Sequence, residues 1–203
     1  MDAALLNALE NDSLTFDEYM ELFNSIVNSD NPSAPYDKPS WLRYTKSNLE
    51  RTQKILSAMT VNQKLYNLVS EINKDWIWVV LTEPWCGDAS WGVPTLYMIA
   101  QCNERIQFKL LLRDKHPDIM ANYQTAGTDS IPKLICIDAN TKEIVGTWGP
   151  RPRELQSVVM NIKNLPGLDY REATRALHQW YLDDFTKSTQ SDLTSSIKTW
   201  LTK

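Results

Sequence analysis

The residue best suited to covalent chemistry is Cys86, in the stretch Leu81 to Pro94, LTEPWCGDASWGVP. A thiolate attacks disulfides and a thiol does not. A second cysteine three residues on would let the pair cycle between dithiol and disulfide, but that position holds Ala89. Cys86 falls in the expected first turn of a helix, where unpaired N–H groups and the positive dipole end favour the thiolate. Asp88 opposes it, and Glu83 adds to the opposition. The dipole is worth about 0.3–1 kcal/mol when exposed. A carboxylate about 6 Å away is worth roughly 0.7 to 3 kcal/mol across effective dielectrics of about 80 to 20. The effects are comparable, so the expected thiol is only modestly acidified.

No other cysteine can supply the second sulfur. Cys102 follows sixteen residues after Cys86, about 24 Å along one helix. Cys136 lies four residues into the strand after Pro132, about 13 Å along it. A disulfide needs Cα atoms within about 7 Å, so both read as buried structural thiols. His116 and His178 sit in unrelated segments without ligand spacing, so no metal and no cofactor is expected.

The elements that would hold Cys86 follow from patterning. The run DWIWVVLTE is short, apolar and rich in β-branched and aromatic residues, as in a strand buried on both faces. IQFKLLLRD and KLICIDA read as further strands, and EIVGTWG pairs with the latter across the turn-forming NTK. Between them, residues 91–101 read as a helix despite Pro94, and 116–127 as a short helix ending near Gly127. The segment RPRELQSVVMNIKN begins with prolines and is stopped by Pro166-Gly167, so it reads as a helix.

Residues 1–30 are expected to be helical, with Ser13 or Thr15 as a cap and Phe16, Met20, Phe23 and Ile26 on one face. Asp17, Glu18 and Glu21 read as solvated surface. After a proline-rich loop, helices are expected over 41–59 and 62–72, the first with Trp41, Tyr44, Leu49 and Ile55 inward. Two more follow, over 170–185 and about 190–201.

The order across 60–163 is then β-α-β-α-β-β-α after an initial helix. The fold class is α/β: a central mixed sheet flanked by helices on both faces, its first two strands parallel and its last two a hairpin. Residues 1–59 would be an N-terminal helical extension packed on this core, and 164–203 a C-terminal one. Sites in such sheets lie beyond the carboxyl ends of the parallel strands, which is where Cys86 falls.

Of 203 residues, 42% are hydrophobic and 23% charged, enough apolar material for a core without disulfide staples. Net charge is −4 with no basic block, which argues against nucleic acid. No stretch approaches the length of a membrane span, and the N-terminus lacks the features of a signal peptide. Three sparse cysteines suit a reducing cytoplasm. The eight tryptophans read mostly as core and groove filler.

Together, the segment WCGDA with Pro94, SIPKLICID about 45 residues later and a hairpin ending GTWGPRP resemble the thioredoxin superfamily. The chain resembles in particular bacterial thioredoxin-family proteins whose active site reads Trp-Cys-Gly-Asp-Cys, with Ala89 in place of the second cysteine. The resemblance implies that Trp85, Cys86, Gly87, Asp88, Ala89 and Pro94 form the active-site frame. It implies that Pro132 is the cis-proline opposite the sulfur and that Ile131 offers its backbone to an extended substrate. Trp148 and Gly149 would rim the site. The buried acid that many such proteins carry six residues before the first cysteine is here Val80.

Two functions follow. As a monothiol redox protein, Cys86 would attack a disulfide-bearing protein or a mixed disulfide with a small thiol, and an external thiol would release it. As a redox-inactive module, a groove formed by Trp85, Ile131 and Trp148 would hold a peptide or protein. A sulfenic-acid sensor is a third reading, which the modest acidification disfavours. The helical extensions could also mediate self-association into a homo-oligomer. Arg151 and Arg153 read as ordinary helix-start residues, with an anionic substrate beside the site as the alternative.

Overall fold

The computed structural model describes residues 3–163 and 169–202. The expected helix stop at Pro166-Gly167 and the boundary at 163/164 lie outside or at the edge of the described residues. Helices α1 (Ala3–Asn11), α2 (Phe16–Asn28), α3 (Pro39–Ala58) and α4 (Gln63–Ser70) precede the sheet. Then come β1 (Trp76–Thr82), α5 (Ala89–Ala100), β2 (Ile106–Leu112), α6 (Pro117–Ala121), β3 (Lys133–Asp138) and β4 (Ile144–Trp148). Helices α7 (Arg153–Lys163), α8 (Tyr170–Asp184) and α9 (Lys187–Trp200) close the chain.

The sheet is mixed, in the order β2-β1-β3-β4. Strand β1 runs parallel to β2 and antiparallel to β3, and β3 and β4 form the hairpin. This is a thioredoxin-like α/β fold with added helices at both ends. One apolar core joins sheet and helices, and Trp76 and Trp78 are fully buried in it. Trp200 of α9 meets both rings edge-on, each at 6.3 Å between centroids. Its indole lies over Gly146, where an added Cβ would collide with it. The missing side chain on β4 is therefore what lets α9 seat.

The N-terminal region departs from a plain helical reading. It breaks after α1, and Leu14 pairs with Leu110 of β2 through N–H···O bonds of 2.8 and 2.9 Å. Thr15 then caps α2 in a reciprocal box: its hydroxyl accepts from Glu18 N–H at 3.2 Å, and its own N–H donates to Glu18 at 2.7 Å. Glu18 is thus a capping residue as well as a surface charge. Asn62 caps α4 at 3.0 Å, and Gln190 of α9 accepts the Asn62 N–H at 2.8 Å.

Helix α6 is shorter than expected and ends at Ala121. A turn follows in which Thr125 and Thr128 pair, with Ala126 and Gly127 both at positive φ. Left-handed backbone of that kind cannot continue a right-handed helix.

Among the described residues, no helix is long and apolar enough to cross a membrane. Trp200→Ala should cost about 3–5 kcal/mol, because a buried ring between two others is lost and the site cannot collapse. Urea unfolding followed by circular dichroism measures this. A loss below about 1 kcal/mol would show that α9 does not anchor the sheet.

Candidate active site

Strand β1 ends at Thr82, and a turn carries the chain to α5. Within it Cys86 N–H donates to Glu83 C=O at 3.0 Å. The helix begins only where Gly92 N–H reaches Asp88 C=O at 2.9 Å. Cys86 therefore lies ahead of α5, not in its first turn as expected from sequence. It remains near the helix start, with its C=O accepting from Ser90 N–H at 3.2 Å.

The thiol Sγ donates to Ile131 C=O at 3.3 Å, and the Ile131–Pro132 bond is cis. Two glycines permit this arrangement. A Cβ at Gly92 would come within 2.7 Å of the Pro132 ring. Gly149, at φ 109°, has its Cα facing the Pro132 carbonyl so closely that a side chain would collide. Pro94 lacks the N–H that would bond Ser90 C=O. The hydroxyl of Thr52, from α3, donates to that carbonyl at 3.4 Å instead.

The electrostatics differ from the sequence arithmetic. Cys86 is buried, and burial pushes its pKa up to about 12. The Asp88 charge adds to the rise, while the Ala89 and Asp88 N–H groups and Arg151 pull against it. The expected modest acidification is thus corrected: that arithmetic set the dipole against nearby charge and left out the removal of water from the thiolate.

Asp88 sits in a buried network. Arg151 grips both carboxylate oxygens, through Nε at 3.0 Å and through Nη2. Tyr181 O–H donates to Oδ1 at 2.8 Å, and its ring stacks on Trp91 at 5.1 Å. Both ion-pair side chains are nearly closed to solvent, at 12% and 10%. Arg151 is therefore the counter-ion of Asp88, not a bystander at a helix start. Arg153 pairs with Asp192 through Nε at 3.0 Å.

Trp85, Cys86, Gly87 and Asp88 line an open cavity of about 500 Å³ together with Ser40, Trp41 and Tyr44 of the α3 region. Trp41 meets Trp85 edge-on at 5.6 Å, and the Arg113 guanidinium lies over Trp85 at 4.8 Å. The Tyr44 hydroxyl occupies the space a Gly87 side chain would need. Trp41 and Tyr44, expected to face inward, are 39% and 37% exposed. Trp85, Ile131 and Trp148, expected to share one groove, do not line this cavity together. Ile131 is buried behind the sulfur, and Trp148 and Gly149 line a different cavity. Ala89 is buried at the start of α5.

Cys136 is buried and Cys102 half-buried rather than buried; both are free thiols, as is Cys86, and burial raises the pKa of each. Among the described residues, no three His, Cys, Asp or Glu side chains gather as a metal site.

Sequence reasoning missed a buried acid. Glu83, 5% exposed, accepts Asp114 N–H at 2.9 Å. Burial pushes its carboxyl up to about 7, against the pull of that hydrogen bond and of Arg113 and Lys115.

A mixed four-stranded sheet flanked by helices, with a cysteine in the turn after β1, is the architecture of a thioredoxin-type protein. A thioredoxin family model matches residues 36–165, and the chain belongs to that family. No curated protein matches the chain. Among solved structures, it is similar to a protein of unknown function from Pseudomonas aeruginosa, at 15% identity and a TM-score of 0.57. It is also similar to an HIV epitope scaffold, at 15% identity and a TM-score of 0.53. Each likeness covers 91% of this chain and 98% of the other.

Glu83 makes stability pH-dependent. Its folded pKa lies above its unfolded value of 4.5, so the stabilisation is complete below that value and is lost as pH rises through about 7. Glu83→Gln keeps an acceptor for Asp114 N–H and cannot ionise. It should remove about 1–3 kcal/mol of the fall in stability between about pH 5 and pH 8, read from urea midpoints. Parallel pH profiles for parent and variant would contradict the buried-carboxyl account.

Proposed function

We propose that the protein is a thioredoxin-fold binding module. An extended polypeptide segment places an apolar side chain in the cavity of Trp41, Tyr44 and Trp85, and Cys86 stays protonated on the cavity wall. The observation that carries this reading is the buried Cys86 thiol, hydrogen-bonded to Ile131 C=O on the wall of an open aromatic cavity. At neutral pH a thiol of pKa about 12 is ionised in about one molecule in 100,000. A higher pKa makes each thiolate more nucleophilic, but with a Brønsted slope of about 0.4–0.5 this recovers only part of the loss. Rigid aromatic rings supply contact area at low entropic cost, which suits them to anchoring a peptide.

Monothiol exchange is the second reading, favoured by the N–H groups of Asp88 and Ala89 that bond the sulfur and by the place of Cys86 on the cavity wall. Ala89, in the position of a resolving cysteine, would leave release of the mixed disulfide to an external thiol. Three free thiols fit a reducing cytoplasm under either reading.

Two assays separate them. In hydroxyethyl disulfide with excess glutathione at neutral pH, parent and Cys86→Ser should be equally inert. Turnover by the parent that Cys86→Ser abolishes would replace the binding reading with monothiol exchange. Peptides selected from a displayed random library should bind parent and Cys86→Ser alike and bind Trp41→Ala about 30-fold more weakly. Selected binders indifferent to Trp41→Ala would contradict the groove.

A further inference from the structure

A second cavity, of about 470 Å³, is lined by Gly149 but not by Cys86. Its walls come from the 124–126 turn, the starts of β3 and α7, the end of β4, and α9. Three cationic side chains line it: Lys133, Arg151 and Arg153. Arg151 is neutralised by Asp88 and Arg153 by Asp192. Asp192, the acidic residue lining the cavity, is doubly engaged, since it also accepts Arg153 N–H at 2.7 Å.

Lys133 has no such partner. It is 8% exposed and forms no ion pair among the described residues. Its Nζ donates to the Thr125 hydroxyl at 3.0 Å, and that hydroxyl donates onward to Gly149 C=O at 3.4 Å. An ammonium has three donors, and a buried charge is costly unless it is paired. Burial accordingly lowers the Lys133 pKa. A lysine at a strand end ordinarily runs its stem along the surface and puts its charge in water; this one ends against a neutral hydroxyl at a cavity.

We propose that this cavity binds a small organic anion through a carboxylate or phosphate group, with Lys133 as the counter-charge and Thr125 as its positioner. The volume exceeds what a bare oxyanion needs, and Trp148 is among the residues that would neighbour the rest of the ligand. The site is separate from the peptide groove and does not depend on that reading. The sequence offered Arg151 and Arg153 for an anion only as the alternative reading; their carboxylate partners leave the task to Lys133.

The test uses the whole protein with lysine labelled at Cε and followed by NMR. The probes are phenyl phosphate, phenylacetate, inorganic phosphate and uncharged benzyl alcohol. The Lys133 signal is assigned by its loss in Lys133→Met, or in Lys133→Arg should the methionine variant not fold. It should shift saturably with phenyl phosphate or phenylacetate and not with benzyl alcohol, and whichever anion acts names the headgroup. In urea unfolding, that anion at a hundredfold excess over its Kd should raise the parent's folded-to-unfolded ratio about hundredfold. Lys133→Met should lose that gain and be no less stable than the parent without ligand. No shift with either anion, or an undiminished gain in Lys133→Met, overturns the proposal. An equally strong response to inorganic phosphate overturns the claim for an organic body.

Discussion

The pairing of Asp88 with Arg151 and Tyr181 is the interaction on which the site depends. It joins three parts of the chain far apart in sequence: the turn after β1, the connection from β4 to α7, and α8. Removing one partner from a buried pair strands the other charge and costs about 3–5 kcal/mol. The same network holds the Asp88 carboxylate beside Cys86, where its charge adds to the rise of the thiol's pKa. The C-terminal helix α8 therefore sets the electrostatics of a site whose sequence motif lies entirely elsewhere.

The opposite wall is set by α3. Asn48 donates to Pro84 C=O at 3.0 Å, and Arg51 spans Asn48 at 2.7 Å and Ser90 at 2.8 Å. These bonds hold the turn against α3, and α3 presents Trp41 and Tyr44 above Trp85. The extensions at the two ends of the chain thus do different work at one site. The N-terminal one supplies the aromatic walls, and the C-terminal one closes the charge network beneath them.

The parallel strand pair and the hairpin were legible because they rest on local patterns: short apolar strands and a hairpin turn. The antiparallel pairing of β1 with β3 leaves no such pattern, and the opposition of Cys86 to Pro132 followed only from the family resemblance. The start of α5 was misplaced because the Cys86 to Glu83 turn precedes the helix and leaves no signature in periodicity. Helical spacing put Trp41 and Tyr44 on one face, but spacing cannot tell a face that meets the core from one that meets a cavity. Arg151 and Tyr181 lie 63 and 93 residues from the Asp88 they bind, a distance at which charge matching in one sequence has no register. The burial of Glu83 and Lys133 was hidden for a related reason. Charged residues at strand ends normally reach water, and only the packed loops around these two prevent it.

The central claim is that burial and the fixed Asp88 charge outweigh the N–H groups near Cys86 and keep its thiol protonated. The most direct measurement is the thiolate absorbance of the folded parent minus that of Cys86→Ser as pH is raised, which cancels Cys102 and Cys136. The account predicts a flat difference up to about pH 10, with any step above it. A full step centred near neutral pH would contradict it, because Cys86 would then be a ready nucleophile in spite of its surroundings.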